Sequence, residues 1–125
     1  MGSLRPVDIL IRIEWGALFL AALVGYGLAH GSWLLFALLI LAPDISMLAY
    51  LGGPRVGAIA YNAFHVLVWP LGLLLAGFYA GQALPIQLAL IWLAHIGMDR
   101  MLGYGLKLPS GFRDTNLGRI GHDRP

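Results

Sequence analysis

Residues 33–52 read WLLFALLILAPDISMLAYLG, with one acidic side chain, Asp44, and no basic one. Such a run matches the ~20 apolar residues that an α-helix needs to cross a ~30 Å hydrocarbon core. On either side of it lie three further apolar stretches of similar length, at residues 7–28, 56–79 and 85–106. The sequence therefore predicts an all-α integral membrane protein with four transmembrane helices.

The composition agrees with a bilayer environment. Hydrophobic residues make up 59% of the 125 residues and charged residues only 11%, against about a quarter charged in soluble domains. The chain has no cysteine, which excludes disulfides, thiolate zinc sites and iron–sulfur clusters. The eight Lys and Arg residues are scattered singly, so the net charge of +2 predicts no nucleic-acid surface.

The connections between the apolar stretches are only a few residues long, which predicts sequential antiparallel helices in an up-and-down four-helix bundle. Residues 1–107 form the predicted transmembrane domain, and residues 108–125 form a short cytoplasmic tail. Basic residues flank alternate loops: Arg5, Arg55, Lys107, Arg113 and Arg119. By the positive-inside rule, both termini are predicted to be cytoplasmic in a multi-pass protein of the bacterial inner (plasma) membrane.

Polar and ionisable residues inside the predicted spans are the main functional signal, because hydrocarbon penalises them and those that persist usually face the interior of a bundle. Counted from the cytoplasmic end at about 1.5 Å per residue, they share one layer some 8 to 15 Å deep. Every predicted helix contributes to this layer. Its members are Arg12, Glu14, Asp44, Asn62, His65, His95, Asp99 and Arg100.

Helical angles select among these residues. His95 and Asp99, four positions apart, fall on one helix face. Arg12 and Glu14 are about 160° apart by the same count, so Glu14 is expected to face the bundle while Arg12 snorkels toward the headgroups. Pro43 interrupts its helix beside Asp44 and frees a carbonyl, which has to be satisfied within the protein or by water.

Imidazoles and carboxylates on facing helices suit a divalent metal such as zinc, iron or manganese. We expect His65, His95 and Asp99 to be the metal ligands and Asp44 to be a further ligand or to orient one. Glu14 would be the general base for a bound water. This interpretation predicts a metal-dependent membrane hydrolase that acts on a lipid-like substrate.

Other functions fit the same residues. The polar layer could be a hydrogen-bonded network that joins the helices, or the centre of a small transporter or proton relay. The chain could also be a structural accessory subunit, either as a homo-oligomer or within a larger membrane complex. The lipid bilayer is the partner common to all of these alternatives.

Six short motifs of this chain are distinctive: APDISM at 42–47, GPRVG at 53–57, YNAFH at 61–65, WLAHIGMDR at 92–100, GYGLK at 103–107 and GFRDT at 111–115. Together they resemble a family of small bacterial four-helix membrane proteins that is classed only as a domain of unknown function. The resemblance implies no activity, but it implies that Asp44, His65, His95 and Asp99 belong to the family pattern. A looser analogy links this pattern to membrane-bound metal-dependent hydrolases with His and Asp on short transmembrane helices.

Overall fold

The computed structural model describes residues 5–103 and the backbone of residues 114–115 and 118–119. Over these residues the chain forms four consecutive helical segments, two of which are interrupted, followed by a two-residue antiparallel ladder. The elements are α1 (Pro6–Leu28), α2 (Trp33–Leu39), a 3-10 helix (Ala42–Gly52), α3 (Pro54–His65), α4 (Val68–Ala80), α5 (Ala83–Met101), β1 (Asp114–Thr115) and β2 (Gly118–Arg119). The all-α prediction is confirmed for residues 5–103.

Local sequence signals explain where the helices begin and end. Pro6 opens α1, and the Asp8 carboxylate accepts hydrogen bonds from the Arg5 backbone N–H at 3.1 Å and from its guanidinium at 3.0 Å, which satisfies a donor that the first turn leaves free. Further along the chain, α4 ends at Ala80, and the next residue, Gly81, adopts the left-handed conformation at φ 65°. The N–H groups of Gly81 and Gln82 bond back to the last turn, as in a Schellman motif.

The second segment changes helix type at Pro43. The α-helix ends at Leu39, and residues Ala42–Gly52 continue as a 3-10 helix in which the Asp44 N–H bonds to Leu41 O at 3.0 Å. In this pattern the carbonyl of Ile40 would need the N–H of residue 43, and proline has none. The predicted interruption beside Asp44 is therefore confirmed, and it leaves the Ile40 carbonyl for another donor.

The third segment is not the continuous helix 56–79 that the sequence predicted. It breaks after His65, where Val66 adopts an extended conformation (φ −98°, ψ 149°), and it resumes at Val68. Pro70 explains the break, because it has no N–H for the Val66 carbonyl and its ring would clash with that group in a continuous helix. The prediction followed the apolar composition of the stretch and did not take Pro70 into account.

The fourth segment is shorter than predicted. Helix α5 ends at Met101, where Gly103 takes a positive φ of 95°, and not at residue 106. The predicted tail, 108–125, lies outside the described residues except for the ladder. In that ladder, Asp114 pairs with Arg119 and Thr115 pairs with Gly118.

Helix α5 is the most buried element and packs against both α1 and α4, whereas the 3-10 helix packs against α3. The approach of α5 to α1 depends on Gly97, since a Cβ there would lie 3.0 Å from Phe19 N and 3.1 Å from Trp15 O. The apolar core adjoins this contact, because Phe19 takes part in both. It contains Ala22, Leu93 and Ala94, with Phe19, Phe36, Ile40, Leu67, Leu74 and Leu90 packed around them.

Two of the four helical segments are long and apolar enough to cross a bilayer. They are Trp33–Gly52, with a mean hydropathy of 2.1, and Pro54–Ala80, with a mean hydropathy of 1.7.

Replacing Gly97 with alanine is expected to lower the free energy of unfolding by about 1–3 kcal/mol, because the new methyl group meets backbone atoms of α1 that cannot rotate away. The matched control is Gly72→Ala in α4, where a Cβ meets no atom within 4 Å and alanine favours the helix by about 0.5–1 kcal/mol. Thermal unfolding followed by circular dichroism measures both. Equal melting temperatures for wild type and Gly97→Ala would contradict the packing described here.

Candidate metal site

Four residues from three elements converge at one point. Asp44 of the 3-10 helix, His65 of α3, and His95 and Asp99 of α5 each offer a nitrogen or oxygen atom, and these atoms all lie within 4.8 Å of one another. They are the four residues that the family resemblance implied. We refer to them as the His/Asp cluster.

The atoms at the centre of the cluster are the two imidazole Nε2 atoms and one oxygen from each carboxylate. The Nε2 atoms of His65 and His95 are 3.0 Å apart. Asp44 Oδ1 lies 3.1 Å from each of them. Asp99 Oδ2 lies 3.4 Å from His65 Nε2 and 3.2 Å from His95 Nε2. Both carboxylates therefore bridge the same pair of ring nitrogens.

The outer ring nitrogens fix the protonation of both imidazoles. His65 Nδ1 lies 2.7 Å from the carbonyl oxygen of Tyr61, and His95 Nδ1 lies 2.6 Å from that of Ile40. A carbonyl oxygen can only accept, so each Nδ1 carries a proton and donates it. In the neutral tautomer, each Nε2 then presents a lone pair to the centre of the cluster.

The helix interruptions supply and position these contacts. The Ile40 carbonyl that accepts from His95 is the one left without a partner by Pro43. At the second interruption, the Trp92 indole donates to Phe64 O at 2.7 Å and Arg100 donates to His65 O at 3.0 Å. Helix α5 thus satisfies carbonyls at both breaks, which backbone away from water requires.

Tyr61 and Trp15 complete the surroundings. The Tyr61 ring stacks on His65 with ring centroids 3.7 Å apart, and its hydroxyl donates to Asp99 Oδ2 at 3.4 Å. The Arg100 guanidinium lies 4.3 Å from the centroid of the Trp15 ring, in a cation–π arrangement. The two Tyr61 contacts restrict the rotation of the His65 ring and the Asp99 carboxylate.

The cluster is buried but keeps one open side. His65, His95 and Asp99 are 3%, 0% and 8% exposed as residues, whereas the Asp44 side chain is 26% exposed. Five of the six distances between the donor atoms of the cluster are 3.0 to 3.4 Å, close to the ~3.3–3.6 Å that separates ligand atoms around a tetrahedral zinc ion with bonds of ~2.0–2.2 Å. The donor set of two imidazoles and two carboxylates also suits iron or manganese.

Two expectations for α1 are wrong. Glu14 lies on the exposed face of the helix and is not part of the His/Asp cluster, so it does not face the interior. Arg12 does not extend outward; its guanidinium donates to the carbonyl of Leu102 at 2.5 Å, just beyond the end of α5. The carbonyls at the C-terminus of α5 favour a positive side chain at this place. Because Glu14 lies on the opposite face of α1 from Arg12, it points away from α5.

Sequence reasoning missed the residues that hold the helix interruption. No role was predicted for Trp92, and Arg100 was placed only in the polar layer, yet both donate to carbonyls at the α3–α4 break. The signal that could have found them is Pro70, because a proline inside an apolar run predicts free carbonyls that need donors.

Comparison with known proteins adds a family but no activity. No curated protein and no solved structure matches the chain. The domain of unknown function DUF4260 matches residues 8–120, a range that contains all four residues of the His/Asp cluster. The chain therefore belongs to the DUF4260 family.

Proposed function

We propose that this chain is a four-helix integral membrane protein in which His65, His95 and Asp99 bind a divalent metal beside Asp44, and that it hydrolyses a lipid-like substrate. The observation that carries the metal site is the 3.0 Å separation of two Nε2 atoms whose Nδ1 atoms both donate to carbonyls. The four helical segments would cross the bilayer as an up-and-down bundle, with both termini in the cytoplasm of a bacterial cell.

The exposed apolar surface supports the membrane part of the proposal. None of the residues in the most apolar window of Trp33–Gly52 is buried, and only 17% are buried in that of Pro54–Ala80. A core helix of a soluble protein would instead be mostly buried. Large side chains such as Leu34 and Leu38, each 70% exposed, are stable in this arrangement if lipid surrounds them.

The Nε2–Nε2 contact supports a metal site. Two neutral imidazoles would direct lone pairs at each other across 3.0 Å, beside two carboxylates. A proton on one Nε2 alone would join the rings through an N–H···N hydrogen bond, as in a packing network. A single cation at the centre would instead accept both lone pairs, and donation of each Nδ1–H to a carbonyl is the usual support for a histidine ligand.

The roles follow from burial. His65, His95 and Asp99 are the least exposed members and would hold the ion, leaving a position open as catalytic metal sites do. Asp44 is the partly exposed member and would accept the proton of an attacking water. A divalent ion at this point would polarise the scissile carbonyl or phosphoryl group and lower the pKa of the water. Glu14 takes no part in this scheme, because it lies outside the cluster.

Removing either imidazole is expected to reduce the bound metal at least about tenfold. Loss of a group that hydrogen-bonds to a metal ligand already lowers metal affinity by about 10- to 100-fold, and loss of the ligand itself should lower it at least as much. Elemental analysis of protein purified without chelators, and again after addition of zinc, iron or manganese, compares wild type with His65→Ala and His95→Ala.

The control is His30→Asn. His30 is an exposed loop residue with a positive φ of 56°, which asparagine tolerates. It is expected to keep the metal content of wild type. Metal retained by both cluster variants, or absent from wild type after reconstitution, would contradict the metal site.

The four-span topology predicts opposite accessibility for two loops. The chain has no cysteine, so Gly52→Cys and Gln82→Cys each introduce one thiol at an exposed position. In intact spheroplasts, a membrane-impermeant maleimide is expected to label Gln82→Cys and to label Gly52→Cys only after permeabilisation. Labelling of both variants in intact spheroplasts would contradict the proposed crossing of the segment between them.

Hydrolysis is expected to require both the metal and Asp44. Metal-loaded protein incubated with a bacterial lipid extract should release products that mass spectrometry detects, and His65→Ala should release none. Asp44→Asn, which keeps a ligand-sized side chain but cannot take up a proton, should retain metal while turnover falls by about 10²–10⁴. Unchanged turnover in Asp44→Asn would contradict its role as the base.

A further inference from the structure

Two apolar cavities lie side by side at the α3–α4 interruption. The inner cavity has a volume of about 280 Å³ and reaches Ala42 and Pro43. The outer cavity has a volume of about 670 Å³ and reaches Trp69 and Gly72. Both are lined by Phe64, Leu73 and Trp92. Because they share these walls, we describe them together as the groove.

The four residues of the His/Asp cluster line neither cavity, but each element that builds the cluster also contributes a nearby residue to the inner cavity. Pro43 directly precedes Asp44, and Phe64 directly precedes His65. On α5, Ile91 lines the inner cavity four residues before His95, which places it on the same helix face about 5–6 Å away. The inner cavity therefore lies about one helix turn from His95, and the outer cavity lies toward the exposed side of α4.

The walls of the groove select the chemistry of its occupant. Its lining is apolar and aromatic, and the Trp92 indole N–H is already donated to the Phe64 carbonyl. A ligand with polar groups along its length would lose hydrogen bonds to water without replacement. An unbranched hydrocarbon chain loses none, and it fills apolar volume that would otherwise leave the lining without contacts.

We infer that the groove holds one acyl chain of a lipid-like amphiphile, with its head at the His/Asp cluster and its chain end in the outer cavity. This inference rests on the proposed function and names the substrate part that the protein recognises. The outer cavity is open beside Val68 and Trp69, which are 67% and 56% exposed. Both belong to the segment Pro54–Ala80, which is apolar enough to cross a bilayer, so a chain can enter sideways from lipid.

The orientation of the chain can be measured with two photoreactive analogues of palmitic acid in detergent. One carries a diazirine next to the carboxyl group and the other carries it at the far end of the chain. With zinc-loaded protein, the first is expected to label Pro43 and Ile91, and the second Trp69 and Gly72, with both signals saturable and displaced by unlabelled palmitate. The reverse order, or the same labelled residues for both probes, would overturn the inference.

Filling the groove tests its occupancy. Gly72→Leu extends into the outer cavity from a position where a Cβ meets no atom within 4 Å, and Leu73→Trp enlarges a wall shared by both cavities. Each is expected to weaken labelling by the far-end probe roughly tenfold, the equivalent of about two buried methylene groups. Ala76→Leu is the matched control, because Ala76 is exposed on the same helix and lines neither cavity. Undiminished labelling in both groove variants would overturn the inference.

Metal analysis of the same samples separates this inference from the proposed function. Ordered, saturable labelling that Gly72→Leu weakens, in protein that binds no metal, would support the groove and refute the metal site. Stoichiometric metal without saturable labelling would refute the groove and leave the metal site standing.

Discussion

Donation of two imidazole N–H groups to backbone carbonyls is the constraint on which the site depends. His65 donates to Tyr61 O and His95 to Ile40 O, so both rings are held with Nε2 turned inward. A buried polar group that lacks a partner costs about 1–3 kcal/mol, and these bonds satisfy a proton on each ring. Rotation of either ring would lose that bond and would also separate the Nε2 atoms from Asp44 and Asp99.

This arrangement explains why the helices are interrupted where they are. A continuous α-helix through residue 43 would use the Ile40 carbonyl within the helix, and none would remain for His95. A continuous helix through residue 70 would likewise consume the carbonyls of Phe64 and His65, which instead accept from Trp92 and Arg100. Proline at positions 43 and 70 disfavours a continuous helix at both places, because it lacks an N–H and its ring clashes with the preceding turn. The breaks therefore join the α3 and 3-10 pair to α5 through polar contacts.

Much of the site could be predicted from the sequence because its determinants are local. The i, i+4 spacing of His95 and Asp99 sets a common helix face, and Pro43 beside Asp44 predicted a freed carbonyl. Glu14 was misplaced because the angle between it and Arg12 shows only that they diverge. Which of the two points inward depends on the Leu102 carbonyl, ninety positions away from Arg12 in the chain, and no local pattern contains that contact.

The helical segments were predictable to within a few residues where apolar length governs them, as for 7–28 and 33–52. Prediction failed where backbone chemistry governs them. Gly103, with its positive φ, ends α5 five residues before the predicted limit of 106, and Pro70 divides a stretch that hydropathy presents as one helix. Hydropathy is averaged over a window of residues, so a single proline, which lacks an N–H, or a single glycine, which lacks a Cβ, hardly changes its value.

The most direct test of the central claim is X-ray absorption spectroscopy on the metal-loaded protein, which reports the atoms around the ion. The account predicts nitrogen and oxygen neighbours at ~2.0–2.2 Å with the multiple scattering of two imidazole rings. In His65→Ala, any remaining ion should show one ring fewer. A spectrum with oxygen neighbours only, or with the same ring signal in wild type and His65→Ala, would contradict the assignment of the His/Asp cluster as the metal site.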